Sequence, residues 1–298
     1  MRFSLWLSNS IPWPDVVARA TLAERTGWDG LYVADHFMPN ADDVSGPVHE
    51  CFSLLAGLAV AVPRVRLGSL VAGNTYRHPA VLAKQATTID HMSGGRMVLG
   101  LGAGWQQNEH AAYGIDLGTV PERIAWFEEA CRVVRSLRDE HRSDLVGARY
   151  QLTEAPLEPK PVGPLPLLIG ASGERVMPRI VAALADEWNC WGDPERFAAK
   201  SAVMTRACEA AGRDPATLVR STQALVFVGP AGAETAARAN ASRPSIGGTP
   251  AQLLDIVATY VEAGVDELIV PDFTARSQAE ALEVTELLAT EVIAVARG

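Results

Sequence analysis

The turn at residues 170–175, Gly-Ala-Ser-Gly-Glu-Arg, points most directly to a chemistry. It is small and glycine-rich, and it lies between a predicted strand and a predicted helix. Free backbone N–H groups at the start of a helix, together with the helix dipole, bind anions such as phosphate. Ser172 could add a hydroxyl donor or cap the helix, and Arg175 could add positive charge. An ordinary capped helix start has the same pattern, so both interpretations stay open on this evidence.

The pair Asp35-His36 is a second candidate, because it follows the apolar run GLYVA at residues 30–34. Histidine titrates near neutral pH, so His36 could act as a general acid or donate a hydrogen bond, or it could be purely structural. Asp35 could orient His36 or a ligand, or it could cap the next loop. Glu109 and His110 are adjacent, but no third ligand has a fitting spacing, so we predict no metal site.

Other site classes lack their motifs. The sequence contains no GxSxG elbow, no GxxxxGK[ST] loop and no HExxH pair. The glycines of residues 100–104 lack the spacing that opens a dinucleotide-binding helix. None of the lysines, Lys84, Lys160 and Lys200, lies at the end of a predicted strand, which argues against Schiff-base chemistry.

Strands and helices that would position these residues alternate along the chain. Continuous apolar runs predict strands at 2–7, 30–34, 65–71, 97–101, 165–169, 186–191, 219–228 and 268–270. Helical patterns predict helices from about Pro14 to Gly27 and at 50–61, 80–91, 123–140, 175–183, 194–211, 250–263 and 277–296. Such alternation indicates parallel strands.

Eight strand–helix units favour a closed (β/α)8 TIM barrel over an open sheet. Length alone, at about 150 residues per domain, would suggest two domains. However, α/β barrels reach about 250 residues as one domain, so we predict a single barrel domain over residues 1–298. The excess is assigned to insertions at about 145–164 and 229–248. Barrel enzymes work in the loops after the strand C-termini, which is where the candidates above lie.

Composition excludes several classes of protein. The 298 residues carry 26 Lys and Arg against 35 Asp and Glu, a net charge of −9, whereas nucleic-acid-binding proteins are usually basic. The longest uncharged apolar run, at 52–62, is shorter than the roughly 20 residues that cross a bilayer. The first apolar run breaks at Ser8, too early for a signal peptide. The four cysteines lie far apart, so we expect no disulfide and a cytoplasmic protein without nucleic-acid or membrane partners.

Several runs resemble the bacterial luciferase-like superfamily of flavin and deazaflavin enzymes. The most specific are YRHPAVLAKQATTID at 76–90, SGGR at 93–96 and LGLGAGW at 99–105. VADHF at 33–37 and LIGASG at 168–173 are similar to further motifs of that superfamily, in the same order. The resemblance covers essentially the whole chain.

This resemblance implies a (β/α)8 barrel, usually a homodimer, that binds FMN or the deazaflavin coenzyme F-420 across the C-terminal ends of its strands. A member of the F-420 branch would be an oxidoreductase with a small-molecule substrate, and another enzyme would reduce its cofactor. The superfamily's non-proline cis peptide would fall near Leu70-Val71, where its bulge supports the central ring of the cofactor.

Roles carry over by the same resemblance. Asp35 and His36 match a pair beside the reactive ring edge, Asn108 matches a contact with the sugar-like chain, and the turn at 170–175 matches the phosphate site. The predicted catalytic residue is His36, and the predicted cofactor-binding residues are Asp35, Leu70, Val71, Gly73, Asn74, Trp105, Asn108, Gly170, Ala171, Ser172, Gly173, Glu174 and Arg175.

One position departs from the resemblance. Deazaflavin-dependent sugar-phosphate dehydrogenases carry a glutamate where this chain has Trp105. A buried indole cannot shuttle a proton, so we expect a different substrate class.

Three functions therefore stay open. The leading hypothesis is hydride transfer between coenzyme F-420 and an unidentified small organic substrate, with His36 donating or accepting a proton or holding a ring oxygen. The alternatives are an FMN-dependent two-component monooxygenase and a non-catalytic flavin-binding protein. Because the chain is acidic, an anionic cofactor would depend on the turn at 170–175 and on Arg77, Arg175 and Arg179. If those arginines are distant from the pocket, FMN becomes the better prediction.

Overall fold

Parallel strands pair in a closed ring at the centre of the molecule. The computed structural model describes residues 1–239 and 243–298. Within them the ring has eight strands: β1 Arg2–Leu7, β2 Gly30–Val33, β3 Arg66–Ser69 with its continuation Ala72–Gly73, β4 Met97–Gly102, β5 Leu167–Gly170, β6 Glu187–Trp191, β7 Val219–Gln223 and β8 Glu267–Pro271. The predicted (β/α)8 barrel is confirmed.

Strand register closes the ring without an edge. β1 pairs on one side with β2 and on the other with β8, where Phe3 lies opposite Leu268. At the far side β3 pairs with β4, with Leu67 opposite Met97. All residues of β2 and β4 are buried, which explains why these strands read as unbroken apolar runs.

Helices surround the ring. They are α1 Trp13–Thr26, α2 Cys51–Ala61, α3 Pro79–Ser93, α4 Gln107–Tyr113, α5 Val120–Asp139, α6 Met177–Leu184, α7 Pro194–Ala210, α8 Gly232–Arg238, α9 Pro250–Glu262 and α10 Gln278–Leu287. After α10 the chain continues as a π-helical segment, Leu288–Ile293, and a last turn, Ala294–Arg297. Gly27 ends α1 in the left-handed conformation, with φ of 94°, as predicted.

Some predicted elements differ from the structure. The helix predicted at 175–183 begins at Met177, because Pro178 suits a first turn and cannot lie deeper in a helix. The strand predicted at 219–228 breaks after β7, and Leu225–Val228 instead pairs in parallel with Ser245–Gly248. The seven-residue helices α4 and α8 were not predicted, since two turns are too short for a 3.6-residue period to stand out.

Both predicted insertions contain regular structure. The first forms a hairpin of Ser143–Val146 and Gln151–Ala155, which begins just before the predicted boundary. The Glu129 carboxylate on α5 accepts hydrogen bonds from the N–H groups of Ala148, Arg149 and Tyr150 and so holds the hairpin turn. The second contains α8 and Ser245–Gly248, and its residues 240–242 lie outside the described part of the chain.

The interior of the barrel is charged at the N-terminal end of the strands and apolar above it. Arg66 forms ion pairs with Glu187 at 2.5 Å and with Glu267 at 2.9 Å. The apolar layer above consists of Tyr32, Leu70, Val98, Leu168 and Ile269. All four cysteines are buried thiols. Among the described residues, no helix is both long and apolar enough to span a membrane.

Candidate active site

A non-proline cis peptide, Leu70-Val71, interrupts β3 at the C-terminal mouth of the barrel, at the position that the resemblance implied. The Val71 side chain lies over glycines of neighbouring strands. A Cβ placed on Gly100, Gly102 or Gly170 would come within 3.2, 2.7 or 2.9 Å of a Val71 methyl carbon. These three glycines therefore leave the room that Val71 fills. We define the floor of the mouth as Val71 together with Gly100, Gly102 and Gly170.

His36 lies at the end of β2 and is held by a carboxylate from α4. Its Nδ1 is 2.8 Å from Oε1 of Glu109, and its ring packs edge-on against Trp105 at a centroid distance of 5.5 Å. The His36 side chain is 26 % exposed, whereas that of Glu109 is fully buried. An ionised carboxylate only accepts hydrogen bonds, so Nδ1 carries the proton and Nε2 is left without a protein partner among the described residues.

Glu109 is the centre of a small hydrogen-bond network. Its Oε2 accepts the backbone N–H of Phe37 at 2.9 Å, and its Oε1 accepts the hydroxyl of Tyr76 as well as His36. Burial alone would raise the pKa of Glu109, but these donors outweigh it and lower the pKa below its usual range. Burial and the adjacent carboxylate raise the pKa of Tyr76, so its hydroxyl stays protonated and donates. The network holds a negative charge beside the imidazole.

Asp35 has a different role from orienting His36. Its carboxylate is almost completely buried and accepts hydrogen bonds from the two terminal guanidinium nitrogens of Arg77, at 2.7 and 3.0 Å. It also accepts the backbone N–H of Gly73 at 3.0 Å. Arg77 in turn pairs with Glu50, the N-cap of α2. Asp35 therefore fixes the loop that follows the cis peptide.

Asn74 follows Gly73 in this loop and is 2 % exposed. Its Oδ1 has no hydrogen-bond partner among the described residues. Its side chain lies beside the hydroxyl of Tyr150 from the inserted hairpin. His78, near the end of the same loop, caps α3 by accepting the N–H of Ala80, and its ring contacts Tyr150. The hairpin thus reaches the mouth from outside the barrel.

Two further predicted cofactor-binding residues lie after β4. Trp105 is 56 % exposed, so the expectation of a buried indole is wrong. Both ends of the Asn108 amide are engaged, because Nδ2 donates to the carbonyl of Pro39 and Oδ1 accepts the N–H of Glu109. Asn108 therefore links α4 to the loop that follows His36, and its predicted contact with a cofactor stays a prediction.

The turn after β5 presents a row of backbone donors. Ala171 is anchored to β6, since its N–H donates to Asn189 and its carbonyl accepts from buried Trp188. The N–H groups of residues 172–176 make no hydrogen bond within residues 1–239 and 243–298, and all five residues are exposed. Val176 caps α6 without a side-chain hydrogen bond, so the expectation that Ser172 caps this helix is wrong. The donors are in place for an anion.

Basic residues around the mouth are mostly engaged. Arg77 is bound to Asp35 and Glu50, and Arg179 is bound to Glu128 on the outer surface. Arg175 makes no ion pair among the described residues. Lys200 on α7 donates to the carbonyl of Ser172 at 2.7 Å and pairs with Glu174 at 2.9 Å.

Three residues of this site were missed by sequence reasoning: the buried base Glu109, its donor Tyr76, and Lys200 at the turn. Glu109 and Tyr76 belong to segments already selected by their place after strand ends, but nothing in the sequence pairs them with His36. Lys200 lies within α7, 26 residues from Glu174, so no local signal connects it to the turn. The described residues contain no cluster of three metal-ligating side chains.

A protein-family model described as luciferase-like monooxygenase matches residues 1–258. The chain belongs to the luciferase-like monooxygenase family. The family and fold that the sequence motifs indicated are thereby confirmed.

Curated relatives of this chain include F-420-dependent dehydrogenases and a monooxygenase. An F-420-dependent glucose-6-phosphate dehydrogenase from Beutenbergia cavernae is 30 % identical over 205 residues, 68 % of this chain and 60 % of that protein. One from Amycolatopsis mediterranei is 32 % identical over 53 % of this chain and 48 % of that protein. A pyrimidine monooxygenase from Cronobacter sakazakii is 34 % identical over 57 % and 51 % of the two chains. The chain thus matches between 48 % and 60 % of the length of these relatives.

Solved structures with the same fold superpose over nearly the whole chain. An F-420-dependent secondary alcohol dehydrogenase has a TM-score of 0.85 at 18 % identity, covering 99 % of this chain and 98 % of that one. A long-chain alkane monooxygenase has a TM-score of 0.80 at 15 % identity, with coverages of 98 % and 90 %. At such identities the likeness shows the shared barrel.

Proposed function

We propose that this protein is an oxidoreductase that transfers a hydride between coenzyme F-420 and a small organic substrate, with His36 moving the accompanying proton. The observation that carries the proposal is the pairing of His36 with Glu109 at 2.8 Å. Because the buried carboxylate holds Nδ1–H, Nε2 is the nitrogen left to accept or donate a proton. The motif resemblance and the F-420-dependent relatives support the same cofactor.

The residues at the mouth fit a phosphorylated flavin-like cofactor in two respects. Val71 is only partly buried and offers apolar surface at the mouth, and the buried Asn74 oxygen has no partner among the described residues. The N–H groups of residues 172–176 offer a phosphate site of the kind that backbone turns provide. Val71 and Asn74 would therefore hold the ring system, and this turn would hold the phosphate.

When bound, coenzyme F-420 supplies hydride exchange at C5 of its ring. The protein supplies position and protons. His36 gives a proton to the substrate when the substrate is reduced and takes one when it is oxidised. Glu109 stabilises the imidazolium form and keeps the ring oriented, while Asp35 and Arg77 fix the loop on which Asn74 lies.

An FMN-dependent two-component monooxygenase is the second candidate, and one observation favours it. Arg77 and Arg179, which were expected to bind an anionic cofactor, are bound to carboxylates instead. The third of these arginines, Arg175, makes no ion pair among the described residues. The positive charge of Lys200 is paired with the carboxylate of Glu174. This modest positive charge suits the single phosphate of FMN better than the larger anionic load of F-420. The monooxygenase relatives are compatible with this alternative.

Titration of the purified protein with each cofactor separates the candidates. Binding of F-420 is followed by its fluorescence and binding of FMN by its absorbance, and oxygen uptake is measured with reduced FMN. We expect F-420 to bind at least tenfold more tightly than FMN and oxygen uptake to stay at the background rate. Tight FMN binding with oxygen consumption would overturn the proposal in favour of a monooxygenase.

Substitution of His36 tests its role. We expect His36→Ala to lower turnover about 10²- to 10⁴-fold, the usual contribution of a general acid or base. His141→Ala is the matched control, because the His141 side chain is 83 % exposed and lies beside Glu158, which is not a residue of the site. Unchanged turnover in His36→Ala removes this residue from the mechanism. Absence of turnover over a broad substrate panel, with either cofactor bound, indicates a flavin-binding protein instead. The homodimer and the separate cofactor-reducing enzyme stay predictions.

A further inference from the structure

An aromatic wall occupies the side of the mouth formed by β1, β6 and the segment after β8. We define this wall as Trp6, Trp191 and Phe273. The Trp6 ring lies 5.7 Å from that of Trp191 and 5.1 Å from that of Phe273, between ring centroids. Phe273 is 38 % exposed, so the wall presents aromatic surface to the solvent.

The aromatic wall and the floor with the cis peptide share one apolar layer beneath them. Trp6 and Val71 both pack against the apolar layer in the interior of the barrel. A molecule bound above this layer on the side of β1 would contact the aromatic wall. Flat, conjugated rings gain most from such contacts, because they offer large apolar area and match aromatic edges and faces.

Positive charge lies at the outer end of the wall. The guanidinium carbon of Arg243 is 5.7 Å from the ring centroid of Trp191, and this side chain is exposed. Arg243 forms no ion pair with a carboxylate of the described residues. The nearest acid in sequence to the wall, Asp272, is buried and bound to Arg19 at 2.7 Å and to the N–H of Ser8. The charge of Asp272 is therefore already paired within the barrel.

Two polar groups beside the wall have no partner among the described residues. They are the indole Nε1 of Trp6, a donor, and Oε1 of Gln223 at the end of β7, an acceptor. Gln223 is 3 % exposed. Buried polar groups are nearly always paired, so this donor and acceptor mark a side of the mouth that solvent or a bound molecule reaches.

Resting on the proposed function, we infer that the substrate is a planar, conjugated carboxylic acid, whose ring or double bond lies on the aromatic wall and whose carboxylate binds Arg243. Arginine binds carboxylates through two parallel hydrogen bonds, which distinguishes them from neutral analogues of the same shape. This combination also differs from what a sugar phosphate requires, because the wall presents aromatic surface where a sugar needs hydrogen-bonding groups.

Three probes test this inference by isothermal titration calorimetry on the protein loaded with oxidised F-420. They are trans-cinnamate, trans-cinnamamide, which has the same shape without the charge, and cyclohexanecarboxylate, which has the charge without the plane. We expect cinnamate to bind at least tenfold more tightly than either of the others. Equal affinities for cinnamate and cinnamamide, or no binding of any probe, would overturn the inference.

Variants assign the two parts of the selectivity. Arg243→Gln should abolish the preference of cinnamate over cinnamamide and leave cinnamamide binding unchanged. Arg238→Gln is the control, because Arg238 is an exposed arginine of α8 that pairs with Glu234 on the same helix. Phe273→Ala should weaken both planar probes and spare cyclohexanecarboxylate. A preference that survives in Arg243→Gln contradicts the inference.

Failure of this inference is distinguishable from failure of the proposed function. Cofactor affinity is measured in a separate titration before any probe is added. F-420 binding without probe selectivity would refute the substrate class and leave the cofactor proposal standing. Probe selectivity in a protein that binds only FMN would refute the cofactor proposal and leave the substrate class standing.

Discussion

Replacing Glu109 by Gln tests the central contact of the site, because it removes the charge beside His36 while preserving the volume of the side chain. The two carboxylate oxygens accept three donors, from His36, Tyr76 and the backbone of Phe37. An amide offers one oxygen and one NH2 group. At least one buried donor is therefore left facing another donor, whichever way the amide is turned.

Two effects of different size follow from this change. A buried donor without an acceptor costs about 1–3 kcal/mol, so the free energy of unfolding should fall by that amount. A hydrogen bond to a charged group contributes about 1.5–3 kcal/mol, and its loss from the imidazolium form of His36 corresponds to roughly a 10- to 150-fold lower kcat. The loss of kcat should persist at temperatures where the variant is fully folded.

Urea unfolding measures the first effect, and steady-state turnover with saturating cofactor measures the second. Glu262→Gln is the control, because Glu262 is an exposed carboxylate at the end of α9. A Glu109→Gln variant that is destabilised but turns over at the rate of the unmodified protein would refute the reasoning. Glu109 would then only support the fold, and His36 would not depend on it.

Further predictions concern pH, the floor and the phosphate turn. The pKa of Glu109 is lowered on folding, so its contribution to stability is present above its unfolded pKa of about 4.3 and is lost as pH falls through its folded pKa. Urea unfolding at several pH values measures the stability difference between the unmodified protein and Glu109→Gln. This difference should shrink as the pH falls below the unfolded pKa. Gly170→Ala places a Cβ 2.9 Å from the Val71 side chain and should lower the free energy of unfolding in urea by about 1–3 kcal/mol. Gly173→Ala, whose nearest neighbour is at 3.5 Å, should change it little. Equal effects of the two substitutions would contradict the packing described for the floor. Lys200→Gln leaves the carboxylate of Glu174 unpaired in the turn and should weaken F-420 binding by about tenfold, a difference of about 1.4 kcal/mol; an unchanged fluorescence titration would place the phosphate elsewhere.

Much of the fold follows from local patterns in the sequence. Strands buried on both faces must be continuously apolar, and helices that cover a barrel must carry an apolar stripe, so the eight units are visible one at a time. Gly27 ends α1 because its φ of 94° costs other residues energy, and this signal is local as well. Where a segment is short, as in α4 and α8, or where one strand leaves the barrel to pair elsewhere, as at Leu225–Val228, the local pattern is insufficient.

The candidate site, like the fold, could be predicted from the sequence only in part. The sequence by itself determined which loops lie at the mouth, since chain order and strand direction place every strand end there. Only the tertiary structure decided which side chains meet across those loops. It joined His36 to Glu109 from 73 residues away, assigned Arg77 to Asp35 and not to a cofactor, and brought Lys200 to the turn at 170–175. Hydrogen bonds and ion pairs act over about 3 Å between side chains, and such distances between remote residues are set by how the helices and loops pack.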